Sequence, residues 1–166
     1  LIVSWKGKFS NETNNSLVSL TDFYATFAQM VNHKLKDEEA VDSYSIWPIL
    51  SKQGASNRKD LVYESGKGYL SLRTPQLKLV FNGGSGGWGY PNKPADLAQL
   101  PPMQLFNLKE DPSEKENIIH DKCYEQEVKE MTQLIRKYVK EGRSTPGAEV
   151  ANDTENDWKQ VNIFMQ

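Results

Sequence analysis

The stretch LVYESGKGYLSLRTPQLKLVF, residues 61 to 81, decides the fold. It holds three strand-like runs, Leu61 to Glu64, Tyr69 to Arg73 and Leu77 to Phe81. Gly66-Lys67-Gly68 lies between the first two, and Thr74-Pro75-Gln76 between the second two. Short runs rich in Leu, Val and Tyr, joined by Gly- and Pro-containing turns, pair with their neighbours as antiparallel strands. The stretch therefore predicts a meander. Met103 to Leu108 is a candidate fourth strand, reached through a long irregular segment from Asn82 to Pro102.

On the C-terminal side, Val128, Met131, Leu134, Ile135, Tyr138 and Val139 recur three and four residues apart. That is the apolar stripe of an amphipathic helix, placed near 123–141, with Gly142 as its left-handed C-cap. The tail beyond Arg143 is rich in Thr, Pro, Asn and Asp, and Val161 to Phe164 reads as one last short strand docking on the body. On the N-terminal side, Leu1 to Trp5 reads as a short buried strand before a Lys6-Gly7-Lys8 turn. Leu17, Leu20, Phe23, Tyr24, Phe27, Met30 and Val31 mark a second helical stripe, with Ser19 and Asp22 as a capping box. Trp47 to Leu50, with Pro48 early, fits a short helix. The fold class expected is α+β.

The 166 residues are 37% hydrophobic and 25% charged, enough for an ordinary domain with a real core. No apolar run approaches the roughly 18 residues of a membrane helix. Twenty basic against 22 acidic residues, a net charge of −2, leave no electrostatic footprint for nucleic acid. A single cysteine, Cys123, excludes an intrachain disulfide and a cysteine-based zinc site. The chain opens on Leu1 with an apolar run and no initiator Met, which leads us to expect a piece of a longer protein.

Chemistry-bearing groups are few. Gly83 to Gly89 is the most unusual local feature. Glycines there fit either a phosphate cradle of backbone N–H groups or a flexible loop closing two strands, and the loop is the preferred reading. Trp88 within it either stacks on a sugar or ring, or plugs the sheet edge. His33 and His120 have no second ligand at metal spacing. Cys123, one turn from His120, lacks an orienting group and an oxyanion pocket, and reads as a half-buried thiol. Asp37 to Glu39 and Glu110 to Glu116 read as solvated acids, with Asp111-Pro112-Ser113 as turn chemistry. Asn11-Glu12-Thr13, Asn14-Asn15-Ser16 and Asn152-Asp153-Thr154 match the glycosylation sequon at close to chance. No complete set of nucleophile, base and oxyanion donors emerges, so catalytic and metal residues are expected to number none.

The order of these pieces resembles the C-terminal portion of an arylsulfatase-type sulfatase. Leu1 to Lys8 looks like the family's P-L-I-V-x-W-P-G-K strand, with Lys6 in a usual Pro position. Leu17 to Phe27 is similar to V-S-L-V-D-L-x-P-T-L, with Ala25 for Pro, and Asp42 to Leu50 to D-G-x-S-L-x-P-L-L, with Ser43 for Gly. Arg58 to Val80 resembles the R…L-x-x-E…A-x-R…W-K-L-V sheet, and Gly84-Ser85-Gly86-Gly87-Trp88 a loop of some members. Leu105 to Asn117 looks like L-Y-D-L-x-x-D-P-x-E-x-x-N, and Gly142 to Gly147 a frequent ending.

The resemblance implies a four-stranded antiparallel sheet packed against a long C-terminal helix. It divides the chain into 1–57, a strand-helix remnant at the edge of a large α/β domain, 58–147, the sheet subdomain, and 148–166, an extended tail. It implies a sulfuric ester hydrolase in the alkaline phosphatase-like superfamily, in which a formylglycine hydrate attacks sulfur and a metal neutralises the sulfate oxygens. The C-x-P-S-R-type motif that yields formylglycine is absent, since Tyr124-Glu125-Gln126 follows Cys123. Calcium and formylglycine are thus expected in a missing N-terminal domain, and this chain alone is expected to be inactive. That domain is the implied partner, with a sulfated small molecule or glycan as the parent's substrate. Lys67, Trp88 and Tyr90 are candidates for the rim of the substrate cleft. Self-association through an uncovered apolar patch at Leu1–Trp5 and Leu17–Val31 is expected. The family points to a periplasmic or secreted compartment. The alternatives are a phosphodiesterase or phosphonate hydrolase of the same superfamily, and a stand-alone glycan-binding module.

Overall fold

The computed structural model describes residues 1–151 and 159–165. Contacts divide the chain into two compact units. One comprises residues 1–59 with 145–148, and the other residues 60–144 with 149–166. The Asn152-Asp153-Thr154 sequon and Trp158 lie outside the described residues.

The larger unit is built on the meander. Strands β1 (Leu61–Glu64), β2 (Leu70–Arg73), β3 (Leu77–Val80) and β4 (Gln104–Asn107) lie in the order β1-β2-β3-β4, each antiparallel to the next. In this register Leu72 sits opposite Leu79, and Leu79 opposite Leu105. Side chains alternate across a strand, so Leu72, Leu77, Leu79 and Leu105 fall on one face. That face is closed by helix α4 (Glu125–Glu141) through Met131 and Ile135, all within one buried cluster. Gly142 takes the left-handed C-cap with φ +65°, and a Cβ there would meet the Val150 carbonyl.

The expected strand at Val161–Phe164 is instead part of helix α5 (Lys159–Met165). Val161 and Phe164 are both buried in the core cluster, and Phe164 packs on Phe81 with ring centroids 4.4 Å apart. Two buried residues three apart share a helix face, whereas a strand would turn them to opposite faces. The segment expected as an extended tail therefore carries a helix. Arg136 on α4 also donates to the Phe164 carbonyl.

In the smaller unit, the expected strand at Leu1–Trp5 does not form. A strand is defined by its ladder partner, and among the described residues every ladder belongs to the β1–β4 sheet. The Lys6-Gly7-Lys8 turn is present, with Lys8 and Phe9 N–H groups donating to the Trp5 carbonyl. Trp5, Phe9 and Trp47 pack together with centroids 5.8 to 6.5 Å apart. Pro48 lies in the first turn of α2 (Trp47–Leu50).

Helix α1 (Asp22–Met30) departs from the expected pattern in which face it buries. Asp22, Ala25, Thr26 and Ala28 are buried, while Tyr24 and Phe27 are exposed, as are Leu20 and Val31 flanking the helix. Small and polar residues win the inner face because the segment Asp42–Ile46 lies close against it. The Ser43 hydroxyl accepts from the Ala25 N–H at 2.9 Å, and Thr26 Oγ1 accepts from the Ile46 N–H at 2.9 Å. The capping box forms in part as read: Asp22 reaches back to the Ser19 N–H at 2.8 Å.

Candidate functional site

In the larger unit the structure brings the turn that carries Lys67 against the loop that carries Trp88. Lys67 lies in the β1–β2 turn, and Trp88 and Tyr90 in the long β3–β4 connection. The turn is a tight one, with Gly68 N–H donating to the Ser65 carbonyl at 2.9 Å. The connection is pressed onto it. Lys67 N–H donates to the Gly86 carbonyl at 3.0 Å, and Lys67 Nζ to the Asn92 carbonyl at 3.1 Å. Asn92 Nδ2 in turn donates to the Trp88 carbonyl.

Glycine is required in this loop by close approach. A Cβ on Gly84 would stand 2.4 Å from Leu97 Cδ2 and 2.5 Å from the Pro91 carbonyl oxygen. Gly86 adopts φ +66°, where L side chains are disfavoured, against Ser65. Gln104 on β4 clamps the base by donating to the Asn82 and Gly84 carbonyls at 2.8 and 2.9 Å. The Ser85 N–H goes to the Pro91 carbonyl, and the Gly87 N–H to Ser85 Oγ. Those amides are spent inside the loop, which counts against a phosphate cradle. The loop also contains a one-turn helix, α3 (Pro94–Leu97), that the sequence reading missed. Pro94 in its first turn and Asp96 accepting from the Lys93 N–H were the available signals.

Against this bracing, both aromatics project outward. Trp88 and Tyr90 are each 85% exposed. The six-membered ring of the indole lies next to Gly66, where a Cβ would approach Trp88 Cζ3 at 3.3 Å. The Lys67 ammonium is thus linked through Asn92 to the backbone of Trp88.

The other groups lie apart from this end. Cys123 is exposed rather than half-buried, on a 3₁₀ turn leading into α4. Hydrogen bonding to Asp121, then that carboxylate's charge, pushes its thiol pKa up. Alkylation at neutral pH should therefore be slower than for a free thiol, and Asp121→Asn should speed it. Mass spectrometry of iodoacetamide labelling checks this, and equal rates for the two proteins would refute it. His120 and His33 are exposed, and His33 lies 4.0 Å from Glu39. Among the described residues no three His, Cys, Asp or Glu side chains converge as a metal shell.

Two charge clusters were missed. Arg58 is buried on Asp22, with Nε to Oδ2 at 3.0 Å, and its guanidinium stands 4.9 Å from the Tyr44 ring centroid. Glu114, read as solvated, instead pairs with Lys78 at 2.5 Å on the sheet. Burial lowers the Lys78 pKa, but the hydrogen bonds from Glu114 and Tyr63 outweigh it and leave it raised. Burial holds the Tyr63 pKa up. Asp111 behaves as turn chemistry, its carboxyl held low by the Glu116 N–H, and it accepts from the Lys115 and Glu116 amides.

No family model matches the chain. It is 26% identical over 134 residues to an N-acetylgalactosamine-6-O-sulfatase of Bacteroides thetaiotaomicron, a match covering 81% of this chain and 26% of the relative. A B. thetaiotaomicron sulfatase structure, from a study of its metabolism of multiple glycosaminoglycans, superposes with a TM-score of 0.54. That match is 24% identical and covers 70% of this chain and 24% of the other. A 2-O GAG sulfatase structure gives a TM-score of 0.51 at 20% identity, over 71% and 24% of the two chains. The chain thus spans about a quarter of the length of the relatives it matches.

Proposed function

We propose that this chain, similar in sequence and fold to the C-terminal part of sulfatases, is the C-terminal portion of a sulfate-ester hydrolase. The observation that carries the reading is the 26% identity over 134 residues to a sulfatase, in a chain whose fold agrees. Its substrate in this reading is a sulfated amino sugar, the class named for that relative. In this reading catalysis belongs to a part of the protein outside this chain, since Tyr124-Glu125-Gln126 follows Cys123 in place of the formylglycine motif.

The contribution of this chain is then threefold. The sheet and α4 form a rigid support, and the β3–β4 loop, with Lys67, Trp88 and Tyr90, forms part of the cleft rim. The outer stripe of α1 docks on the remaining three-quarters of the protein. The test is to express the full-length protein and measure inorganic sulfate released from 6-O-sulfated N-acetylgalactosamine. Turnover by the full-length protein, and none by residues 1–166 alone, is the expected result. Release of phosphate from a phosphodiester or phosphonate, with no sulfate release, would overturn it in favour of the phosphoryl-transfer relatives.

A further inference from the structure

We propose that the sheet face opposite α4 is an interaction surface centred on Arg73, and that its partner is a carboxylate side chain from the part of the protein outside this chain. The proposal rests on the reading above, in which this chain is one portion of a longer hydrolase. It adds the contact by which the sheet is held to the remainder.

Register places two cations side by side on that face. Arg73 on β2 stands directly opposite Lys78 on β3, and opposite Leu61 on β1. Paired residues of neighbouring strands project to the same side. Leu72 and Leu79, one position along, project to the other side, into the core beneath α4. Like charges directly opposite one another are unfavourable, so this pair calls for anions nearby.

The chain supplies an anion for only one of the two. Lys78 Nζ donates to Glu114 Oε2 at 2.5 Å and lies 5.4 Å from the centroid of the Tyr63 ring. That ion pair uses the single negative charge of Glu114. Among the described residues Arg73 enters no ion pair, and its Nε is buried with no hydrogen-bond partner. It is the one buried side-chain nitrogen or oxygen among them left in that state. A guanidinium does not escape this by losing its proton.

The same atoms say what fits. Arg73 remains partly exposed, so burial at Nε leaves the outer nitrogens open to an approaching group. Their N–H groups form a planar fork that matches the two oxygens of a carboxylate. The charge is delocalised over the whole group, so an anion on the outer pair neutralises it all. Leu61, Tyr63 and Val80 lie half-buried on the same face. An arginine set among apolar and aromatic side chains is the composition of an interface centre rather than of a solvated surface. A two-fold contact with a second copy would bring this cationic face against itself. The chain spans about a quarter of the length of the relatives it matches, and the remaining three-quarters is the source of the acid.

The test uses the full-length protein. Arg73→Lys places an amine at this position, and a water-soluble carbodiimide joins an amine to an adjacent carboxylate as an amide, with loss of one water. Peptide mass spectrometry is expected to find that amide linking position 73 to an acid outside residues 1–166. Arg73→Met keeps the aliphatic stem without the charge, and should lower Tm by about 5 °C. Converting the cross-linked acid to its amide should lower Tm as much, and combining the two should cost nothing further, a coupling that a merely space-filling arginine would not show. If Arg73→Met does not fold, the cross-link decides. An unchanged or raised Tm, additive losses, a cross-link confined to acids within residues 1–166 or joining two copies, or no cross-link would each overturn the proposal. Neither readout needs turnover, so a protein that releases no sulfate refutes the hydrolase reading without deciding this contact.

Discussion

Asp22→Asn is expected to destabilise the smaller unit by about 3–5 kcal/mol, a large part of the roughly 5–15 kcal/mol that holds a domain folded. Asp22 is fully buried, and the Arg58 side chain is 2% exposed. The carboxylate accepts from Arg58, from the Ser19 N–H at 2.8 Å and from the Tyr44 N–H at 2.9 Å. It therefore joins the start of α1, the segment after Asp42 and the residue that leads into the sheet. An amide has nearly the same shape, but it replaces an acceptor with a donor among donors. It also leaves the guanidinium buried without its counter-ion. Removing both charges should cost less than removing one, because no charge then remains uncompensated. Urea unfolding followed by Trp fluorescence, with Asp22→Asn, Arg58→Met and the double variant, measures the coupling. A single variant within about 0.5 kcal/mol of wild type would show that the pair contributes nothing to the fold.

The same pair marks the limit of what the sequence made legible. Local order was readable: alternation at Leu77 and Leu79, the stripe from Val128 to Val139, Gly142 as a C-cap, and the Asp22 carboxylate reaching back to the Ser19 N–H. Each of these depends on residues within a turn or a strand of one another. Arg58 lies 36 residues from Asp22, and Glu114 lies 36 from Lys78, so no spacing rule connects either pair. Strand formation at Leu1–Trp5 failed for a related reason, since apolar β-branched residues supply propensity but not a partner. At Val161–Phe164 the apolar run was too short to separate a period of two from one of 3.6. An indole among glycines and a lysine in a turn were legible as residue types. The approach of Lys67 to Gly86 and Asn92 was not, because it comes from the β1–β2 turn meeting the β3–β4 loop.

An exposed apolar stripe on α1 supports the second prediction. Leu20 is 75% exposed and Val31 73%, with Tyr24 and Phe27 more than half exposed between them. Phe23 and Phe27 stack with centroids 5.5 Å apart, and Tyr24, Phe27, Ala28, Val31 and His33 line a shallow depression. Covering one such large side chain contributes about 1.5–3 kcal/mol, so a surface of this size left in water favours association. Residues 1–166 alone are expected to sediment as concentration-dependent oligomers and to bind a hydrophobic dye. Phe27→Asp with Val31→Asp should return a monomer and abolish dye binding, because the inner face of α1, built from Asp22, Ala25 and Thr26, is untouched. In the full-length protein the outcome should reverse. If that surface is covered by the rest of the chain, the two carboxylates are buried without partners, and Tm and activity should both collapse. A full-length double variant as stable as wild type would mean that α1 faces solvent there, and the docking of this chain would have to run through another surface.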